Sequence, residues 1–219
     1  MHLDMSGCSG IRELPNSLGN LTNLQHLDLS GCSGVTAIPE SFCCLTQLLV
    51  LNLSSCRFIS QLPEDIGNLV NLQYLNMSRC GVRELPESFK MLCNLFHLHL
   101  RGCSIDKGFV GALHGLTALQ YLDMSNMRSA QNLEMRKLPV AMRNLTNLKV
   151  LKLEDCLLQL FGIRICISLD FIGSLTNLKH LDLSWNRTLK YLPESIDYLK
   201  MLHTLNLSYC SELKCLPLG

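Results

Sequence analysis

The chain has 219 residues, of which 47% are hydrophobic and 17% are charged, and it has a formal net charge of +1 and a pI near 7.5. This composition predicts a single domain over residues 1–219 with a large core, and the near-neutral charge excludes a global basic field for nucleic acid or acidic membranes. The longest apolar stretch, Leu157 to Leu169, contains Arg164 and is too short to span a bilayer, and no signal peptide is visible.

A leucine pair in the pattern L-x-L recurs through the whole chain. Its first leucines, each 23 to 30 residues after the one before, are Leu3, Leu27, Leu51, Leu75, Leu98, Leu122, Leu151, Leu181 and Leu205. One full unit, Leu21 to Cys44, has the frame L-x-x-L-x-x-L-x-L-x-x-C, then an aliphatic residue and L-P. This frame is typical of leucine-rich repeats. The sequence therefore predicts an α/β leucine-rich-repeat solenoid, a horseshoe of about nine repeats with uncapped ends.

The spacing within one unit predicts which side chains are buried. Leu27 and Leu29 alternate with polar neighbours, so we expect them to point inward from a short strand, and successive strands to stack as a parallel sheet on the concave face. All seven prolines follow the strand at equivalent positions, where a fixed φ suits the start of a short helical or 3₁₀ return segment. Residues three apart, such as Phe42, Leu45 and Leu48, would bury the inner side of that segment.

The twelve cysteines raise the question of metal binding, disulfides or catalysis. Seven of them occupy one slot after the strand: Cys8, Cys32, Cys56, Cys80, Cys103, Cys156 and Cys210. One thiol per repeat, all pointing the same way, cannot converge on a tetrahedral zinc ion, and parallel side chains argue against disulfides between neighbours. We therefore predict a structural cysteine ladder of buried thiols that donate to backbone carbonyls. Free thiols in this number favour a cytoplasmic location.

A search for catalytic chemistry finds no phosphate-binding loop, zinc-protease motif or serine-hydrolase motif. Six of the seven histidines fall on the predicted strand surface, and His97 and His99 lie beside Asp123, where an acid–base or metal cluster is one interpretation. A third ligand with defined geometry is not evident. We therefore predict histidines on a binding face, with no catalytic residues, no metal, no cofactor and no enzyme activity.

Two of the repeats are longer than the others, near residues 126–144 and 156–174. The first insertion is locally basic. The second lacks the proline, and both a degenerate repeat and a sequence artefact fit its segment 157–172. Extra residues in a solenoid form loops on one face, often a face used for binding.

The predicted outward positions change character along the chain. They are small or modest in repeats two and three, and from repeat four onward they include Tyr74, Arg79, Phe96, His97, His99, Arg101, Tyr121, Lys149, Lys152 and Trp185. Aromatic residues and arginine are enriched in binding hot spots. We therefore predict a protein partner on the concave face between repeats four and eight, and no nucleic-acid or membrane partner.

The segments "LPESFKMLCNLFHLHLRGCS" and "LPESIDYLKMLHTLNLSYCSELKCLP" carry a family resemblance. The whole chain resembles the leucine-rich-repeat region of plant intracellular nucleotide-binding leucine-rich-repeat (NLR) disease-resistance proteins, particularly those of grasses. The resemblance implies a cytoplasmic sensor and autoinhibitory module whose partner is a pathogen effector, a guarded host protein or its own nucleotide-binding domain. Since the chain has no phosphate loop, the resemblance implies ADP or ATP only in that separate domain.

Two other functions remain open. A stand-alone intracellular signalling scaffold of the Ras-binding type also has repeats that contain L-P. An extracellular receptor ectodomain is disfavoured, because secreted plant receptors usually have the frame L-x-G-x-I-P where this chain has L-x-x-L-P.

Overall fold

The computed structural model describes residues 1–128, 137–157 and 169–216. Within these ranges, strands of three residues each form one parallel sheet in chain order. The strands are β1 (His2–Asp4), β2 (His26–Asp28), β3 (Val50–Asn52), β4 (Tyr74–Asn76), β5 (His97–His99), β6 (Tyr121–Asp123), β7 (Val150–Lys152), β8 (His180–Asp182) and β9 (Thr204–Asn206). This arrangement confirms the predicted leucine-rich-repeat solenoid with its parallel concave sheet.

The leucines set the register of the sheet. The middle residue of each strand pairs with the middle residue of the next, as Leu51 does with Leu75. Because side chains alternate along a strand, these leucines point toward the core, while the first and third residues of most strands are at least partly exposed. The long repeats keep the same register, with Leu122 opposite Leu151 and Leu151 opposite Leu181. Their extra residues therefore do not interrupt the sheet.

The return segments on the opposite side are short helices of two kinds. Most are 3₁₀ helices: Asn16–Asn20, Glu40–Cys44, Ile66–Asn68, Glu87–Met91, Asp170–Ser174 and Glu194–Tyr198. Pro39 shows how such a helix begins, because its backbone is extended and its carbonyl accepts the first bond, from Phe42 N–H at 3.0 Å. Repeats five and six instead have α-helices, α1 (Phe109–Leu113) and α2 (Leu138–Met142). Both kinds agree with the prediction of helical or 3₁₀ segments.

The core lies between the sheet and the return segments. Strand leucines and helix side chains form one continuous buried cluster that runs through the repeats. Phe42, Phe89, Phe109 and Phe171 are its largest members, and each is 0% exposed. Each repeat packs only on its neighbours, so apolar burial along the solenoid is shared between adjacent units.

Parts of two predictions fall outside the described residues. Residues 129–136 hold part of the long repeat predicted near 126–144, and residues 158–168 hold most of the one near 156–174, including most of the segment 157–172. No helix in the described ranges has the length and hydropathy needed to cross a bilayer.

Candidate partner-binding surface

Most strands end in an Asp or Asn whose side chain closes the turn that follows. Asp28 Oδ1 accepts from Ser30 N–H at 2.7 Å, and Asn76 Oδ1 accepts from Ser78 N–H at 2.9 Å. A short carboxylate or amide that binds the backbone two residues on stabilises a turn. This repeated turn places small polar groups at the carboxyl ends of β2 to β4.

Repeats five and seven break this pattern, and their side chains meet across repeat six. The third strand position carries His99 in β5 and Lys152 in β7, on either side of Asp123 in β6. Two residues later, Arg101 Nη1 and Nη2 donate to Glu154 Oε2 and Oε1 at 2.6 and 3.1 Å, which is the two-point geometry of a strong ion pair. These hydrogen bonds raise the pKa of Arg101 and lower the pKa of Glu154. The Arg101 guanidinium is therefore already paired within the chain.

The turn after each strand contains one residue in the left-handed backbone region. These residues are Gly7, Gly31, Ser55, Arg79, Gly102, Asn126, Asp155, Trp185 and Tyr209. Glycine adopts this conformation without cost, and asparagine and aspartate tolerate it better than larger side chains do. Asn126 also extends the ion pair, because its amide accepts from Arg101 Nη2 at 3.1 Å and donates to Asp155 Oδ2 at 3.3 Å.

Four aromatic rings form a contiguous cluster on the concave face, which we call the ring cluster: Tyr74, His97, His99 and Tyr121. The strand register puts Tyr74, His97 and Tyr121 side by side at the first strand position. The His99 ring centroid lies 5.1 Å from that of Tyr74 and 4.5 Å from that of Tyr121, and His97 lies 6.0 and 5.9 Å from the same two rings. These distances are typical of favourable aromatic pairs, so the cluster presents a preformed aromatic surface.

Charged groups of both signs adjoin the ring cluster, with Lys152 and Asp123 nearest to His99. Lys152 Nζ lies 5.6 Å from the Tyr121 ring centroid, and its bond with Tyr121 raises the pKa of the ammonium group. Burial lowers the pKa of His99, as do His97 and Lys152, while Asp123 opposes that shift. His99 is therefore a neutral imidazole near pH 7, and a negative charge placed beside it would raise its pKa.

A row of basic residues borders the ring cluster at the position just before the strands. Lys149, Lys179 and His203 occupy this position before β7, β8 and β9, and backbone bonds of 2.8 Å from Lys179 N–H to Lys149 O and from His203 N–H to Lys179 O join them. Lys149 Nζ donates to Gln120 Oε1 at 2.8 Å. Neighbouring strands are about 4.8 Å apart, so like charges stand on adjacent rungs here.

A second aromatic pair lies at the opposite ends of the strands. Trp185 and Tyr209 stack with ring centroids 4.1 Å apart, and the Arg187 guanidinium lies 5.3 Å from the Trp185 ring. Both rings belong to turn residues with left-handed backbones, φ 63° and 62°, a conformation that disfavours bulky side chains. Trp185 is thus separate from the ring cluster with which the sequence grouped it.

The cysteines of the repeat slot form a regular series of thiol–carbonyl contacts. The Sγ atoms of Cys32, Cys56, Cys103 and Cys210 donate to carbonyls of the preceding repeat at 2.9 to 3.1 Å. Cys80 makes a longer contact, 3.4 Å, to the carbonyl of Cys56. In each case the same carbonyl also accepts another hydrogen bond, as Leu29 O does from Cys32 N–H at 3.0 Å, so the thiol binds an acceptor that already has one donor.

Two members of the predicted ladder need comment. Cys156 is fully buried, which raises the pKa of its thiol, whereas Cys8 is exposed and the prediction of a buried thiol is wrong there. The reason is geometric, because each buried thiol is covered by the repeat before it, and β1 is the first strand of the sheet. The cysteines in the described ranges are free thiols.

The predicted contact residues therefore divide into separate groups. Tyr74, His97, His99, Tyr121 and Lys152 come together. Arg101 binds Glu154, Lys149 lies in the basic row, Arg79 is an exposed turn residue, and Phe96 is half-buried just before β5. Lys179, Arg187 and Tyr209 are additional residues that were not predicted, although Tyr209 has the same position in the repeat frame as Trp185. Among the described residues, no three His, Cys, Asp or Glu side chains are grouped closely enough to hold a metal ion.

Comparison with family models finds leucine-rich repeats along much of the chain. Residues 51–154 match the model of a leucine-rich repeat region, and residues 23–45 and 177–199 match the model of a leucine-rich repeat. No match was found among curated proteins. Leucine-rich repeats generally serve as binding scaffolds rather than catalysts, so the fold suggests a protein–protein recognition module.

Solved structures agree on the fold. A leucine-rich repeat protein of Leptospira interrogans is 23% identical with a TM-score of 0.60, and the match covers 94% of this chain and 54% of that one. The leucine-rich repeat domain of the type III effector XopL is 26% identical with a TM-score of 0.54, over 99% and 62% of the two chains. The Arabidopsis receptor kinase HAESA, solved with a peptide hormone and a co-receptor, is 24% identical with a TM-score of 0.60, over 89% and 31%. In each case the chain spans less than two thirds of the protein it matches.

Proposed function

We propose that this chain is the partner-sensing region of a plant intracellular NLR immune receptor, and that it binds a protein through its concave face. The observation that carries the binding role is the ring cluster. Four rings lie on adjacent rungs of a rigid sheet, and none of them contributes to the leucine core. Aromatic groups held in place before binding lose little conformational entropy when a partner arrives, which is why such residues dominate binding energies.

The immune role rests on the repeat frame and on the thiols. The L-S-x-C and L-P-E-S elements resemble the NLR repeat subtype, and the free thiols of the described ranges suit a reducing, cytoplasmic compartment. The partner is accordingly a pathogen effector, a guarded host protein or the receptor's own nucleotide-binding domain.

The binding role is testable in leaf cells. The chain is fused to a proximity-labelling enzyme, and labelled proteins are compared between wild type, the double variant Tyr74→Ala/Tyr121→Ala and the control Gln25→Ala. Gln25 is an exposed residue just before β2, outside the ring cluster. We expect a set of labelled proteins that the double variant loses and the control keeps. Identical labelling in all three would refute the concave site.

The NLR assignment has a separate test in the gene itself. We expect the genomic sequence upstream of Met1 to encode, in frame, a nucleotide-binding domain with a phosphate loop. A secretory leader followed by further repeats would instead make the chain part of an extracellular receptor, and the immune-sensor proposal would be wrong.

A further inference from the structure

The acidic side chains of β6 and β8 bind the backbone of the turns that follow these strands. The carboxylates of Asp123 and Asp182 are turned toward their own backbone, where each Oδ1 accepts a serine N–H, from Ser125 and Ser184, at 2.9 Å. Asp123 is only 6% exposed. The acidic groups of these strands are therefore held at the ends where the turns begin.

Two cations of the same repeats lie toward the other end of the concave face, whereas Lys152 stands in register with Asp123 and Asp182. Lys149 and Lys179 occupy successive rungs just before β7 and β8, and Lys152 reaches the Tyr121 ring. Like charges on neighbouring strands destabilise a sheet. Among the hydrogen bonds and ion pairs of the described residues, none joins Lys149 or Lys179 to a carboxylate.

The remaining charges near the ring cluster are already compensated. Arg101 is paired with Glu154, and Asn126 links that pair to Asp155. The concave face thus offers a partner an aromatic surface, the ring cluster, bordered by three lysines.

From this arrangement we infer that the ring cluster and the lysines Lys149, Lys152 and Lys179 bind an acidic, extended segment of a protein partner. The inference rests on the proposed function, because it names the chemistry of the partner at the same concave face. Carboxylates of the segment would contact the lysines, and its apolar side chains would pack on the rings.

A proton-linked affinity follows from the same geometry. The charged and titratable groups that face His99 are His97 on its own strand, Tyr74 on β4, Tyr121 and Asp123 on β6 and Lys152 on β7. Bound carboxylates would favour the imidazolium form of His99. The complex is therefore tighter at pH 6 than at pH 8. The carboxylates of the segment remain ionised over this whole pH range.

Nucleic acid, which also uses aromatic and basic groups, is the less favoured ligand. The whole chain has a net charge of only +1, and acidic side chains line the turn ends of the same strands. A polyphosphate backbone needs an extended basic surface, whereas a short acidic peptide needs only a local one.

The experiment selects ligands without assuming a sequence. A phage library of random 16-residue peptides is panned on the intact 219-residue chain, and the most enriched peptide is made with a fluorescein label. Its Kd is measured by fluorescence anisotropy for wild type, for Lys149→Ala/Lys179→Ala and for Gln25→Ala, which removes a residue from the same row outside the basic region. We expect the enriched peptides to be rich in Asp and Glu. We expect the labelled peptide to bind the double lysine variant at least about tenfold more weakly than wild type, and to bind the control as tightly as wild type.

Further measurements distinguish a failure of the acidic-partner inference from a failure of the proposed concave site. We expect the Kd to fall about threefold to tenfold from pH 8 to pH 6, and His99→Gln to flatten that change. Enriched peptides that are neutral or basic but still need Tyr74 and Tyr121 would overturn the acidic-partner inference and leave the concave site standing. Peptides whose binding is unaffected by Tyr74→Ala/Tyr121→Ala would overturn both the acidic-partner inference and the concave site. An absence of enriched peptides, or tighter binding of a 20-nucleotide poly(U) RNA than of the acidic peptide, would overturn the inference.

Discussion

Replacing Asn186 by the cysteine that most repeats carry in its slot will destabilise this protein. Asn186 is 4% exposed, and its Nδ2 donates to Leu153 O at 2.8 Å and to Leu183 O at 2.7 Å. Its Oδ1 accepts from Cys156 N–H at 3.2 Å and Leu157 N–H at 2.9 Å. A thiol can replace a donor but not this two-fold acceptor, because sulfur accepts only weakly.

The magnitude follows from the two backbone donors that Asn186→Cys leaves without a partner. A buried donor that loses its acceptor costs about 1–3 kcal/mol, so for two donors we expect the variant to lose about 2–6 kcal/mol of unfolding free energy. The assay is urea denaturation followed by circular dichroism. The matched control is Asn177→Cys, because Asn177 is exposed and donates one bond, to Thr146 O at 2.9 Å. We expect the control to lose less than about 1 kcal/mol.

Hydrogen exchange gives a second, local measurement. The amides of Cys156 and Leu157 will exchange faster in Asn186→Cys than in wild type, because their acceptor is gone, while amides in β2 and β3 will not change. If the variant keeps the stability of wild type within about 0.5 kcal/mol and these two amides stay protected, the account of Asn186 as a buried acceptor is wrong.

Further predictions concern the thiols, the ion pair and pH. Cys56→Ala will cost about 1–2 kcal/mol in urea denaturation, mainly through lost packing, while loss of the exposed thiol in Cys44→Ala will cost less than about 0.5 kcal/mol; equal effects would refute the buried ladder. Denatured, unreduced protein will label at close to twelve thiols, and an intact mass that reveals disulfides would contradict this and the cytoplasmic proposal. A double-mutant cycle of Arg101→Met and Glu154→Gln will give a coupling of about 0.5–1 kcal/mol, modest because both side chains are partly exposed; a value of zero would mean that the pair is solvated. Because burial lowers the pKa of His99, the unfolded chain binds its proton more readily, so the urea midpoint will fall as pH drops below about 6.5, and less so in His99→Gln.

Residues with regular spacing were predictable in detail. The L-x-L pairs and the 24-residue period were enough to predict the parallel sheet, because only one register keeps every middle leucine, such as Leu51 and Leu75, inside the core. The adjacency of Tyr74, His97 and Tyr121 followed from the same register. The prolines likewise marked where return segments begin, since their fixed φ suits a helix start.

The sequence by itself thus determined the strands, their order and which positions face outward, because those depend on periodic burial. Only the tertiary structure decided how the outward side chains pair. Arg101 and Glu154 are 53 residues apart and reach across an intervening repeat, and Trp185 turns to Tyr209 rather than to the ring cluster. The burial of Asp123 and the exposure of Cys8 were also set in three dimensions. A repeat frame specifies the neighbour of every position but not the direction of a long side chain, which depends on the charges, rings and turn conformations of the repeats on both sides.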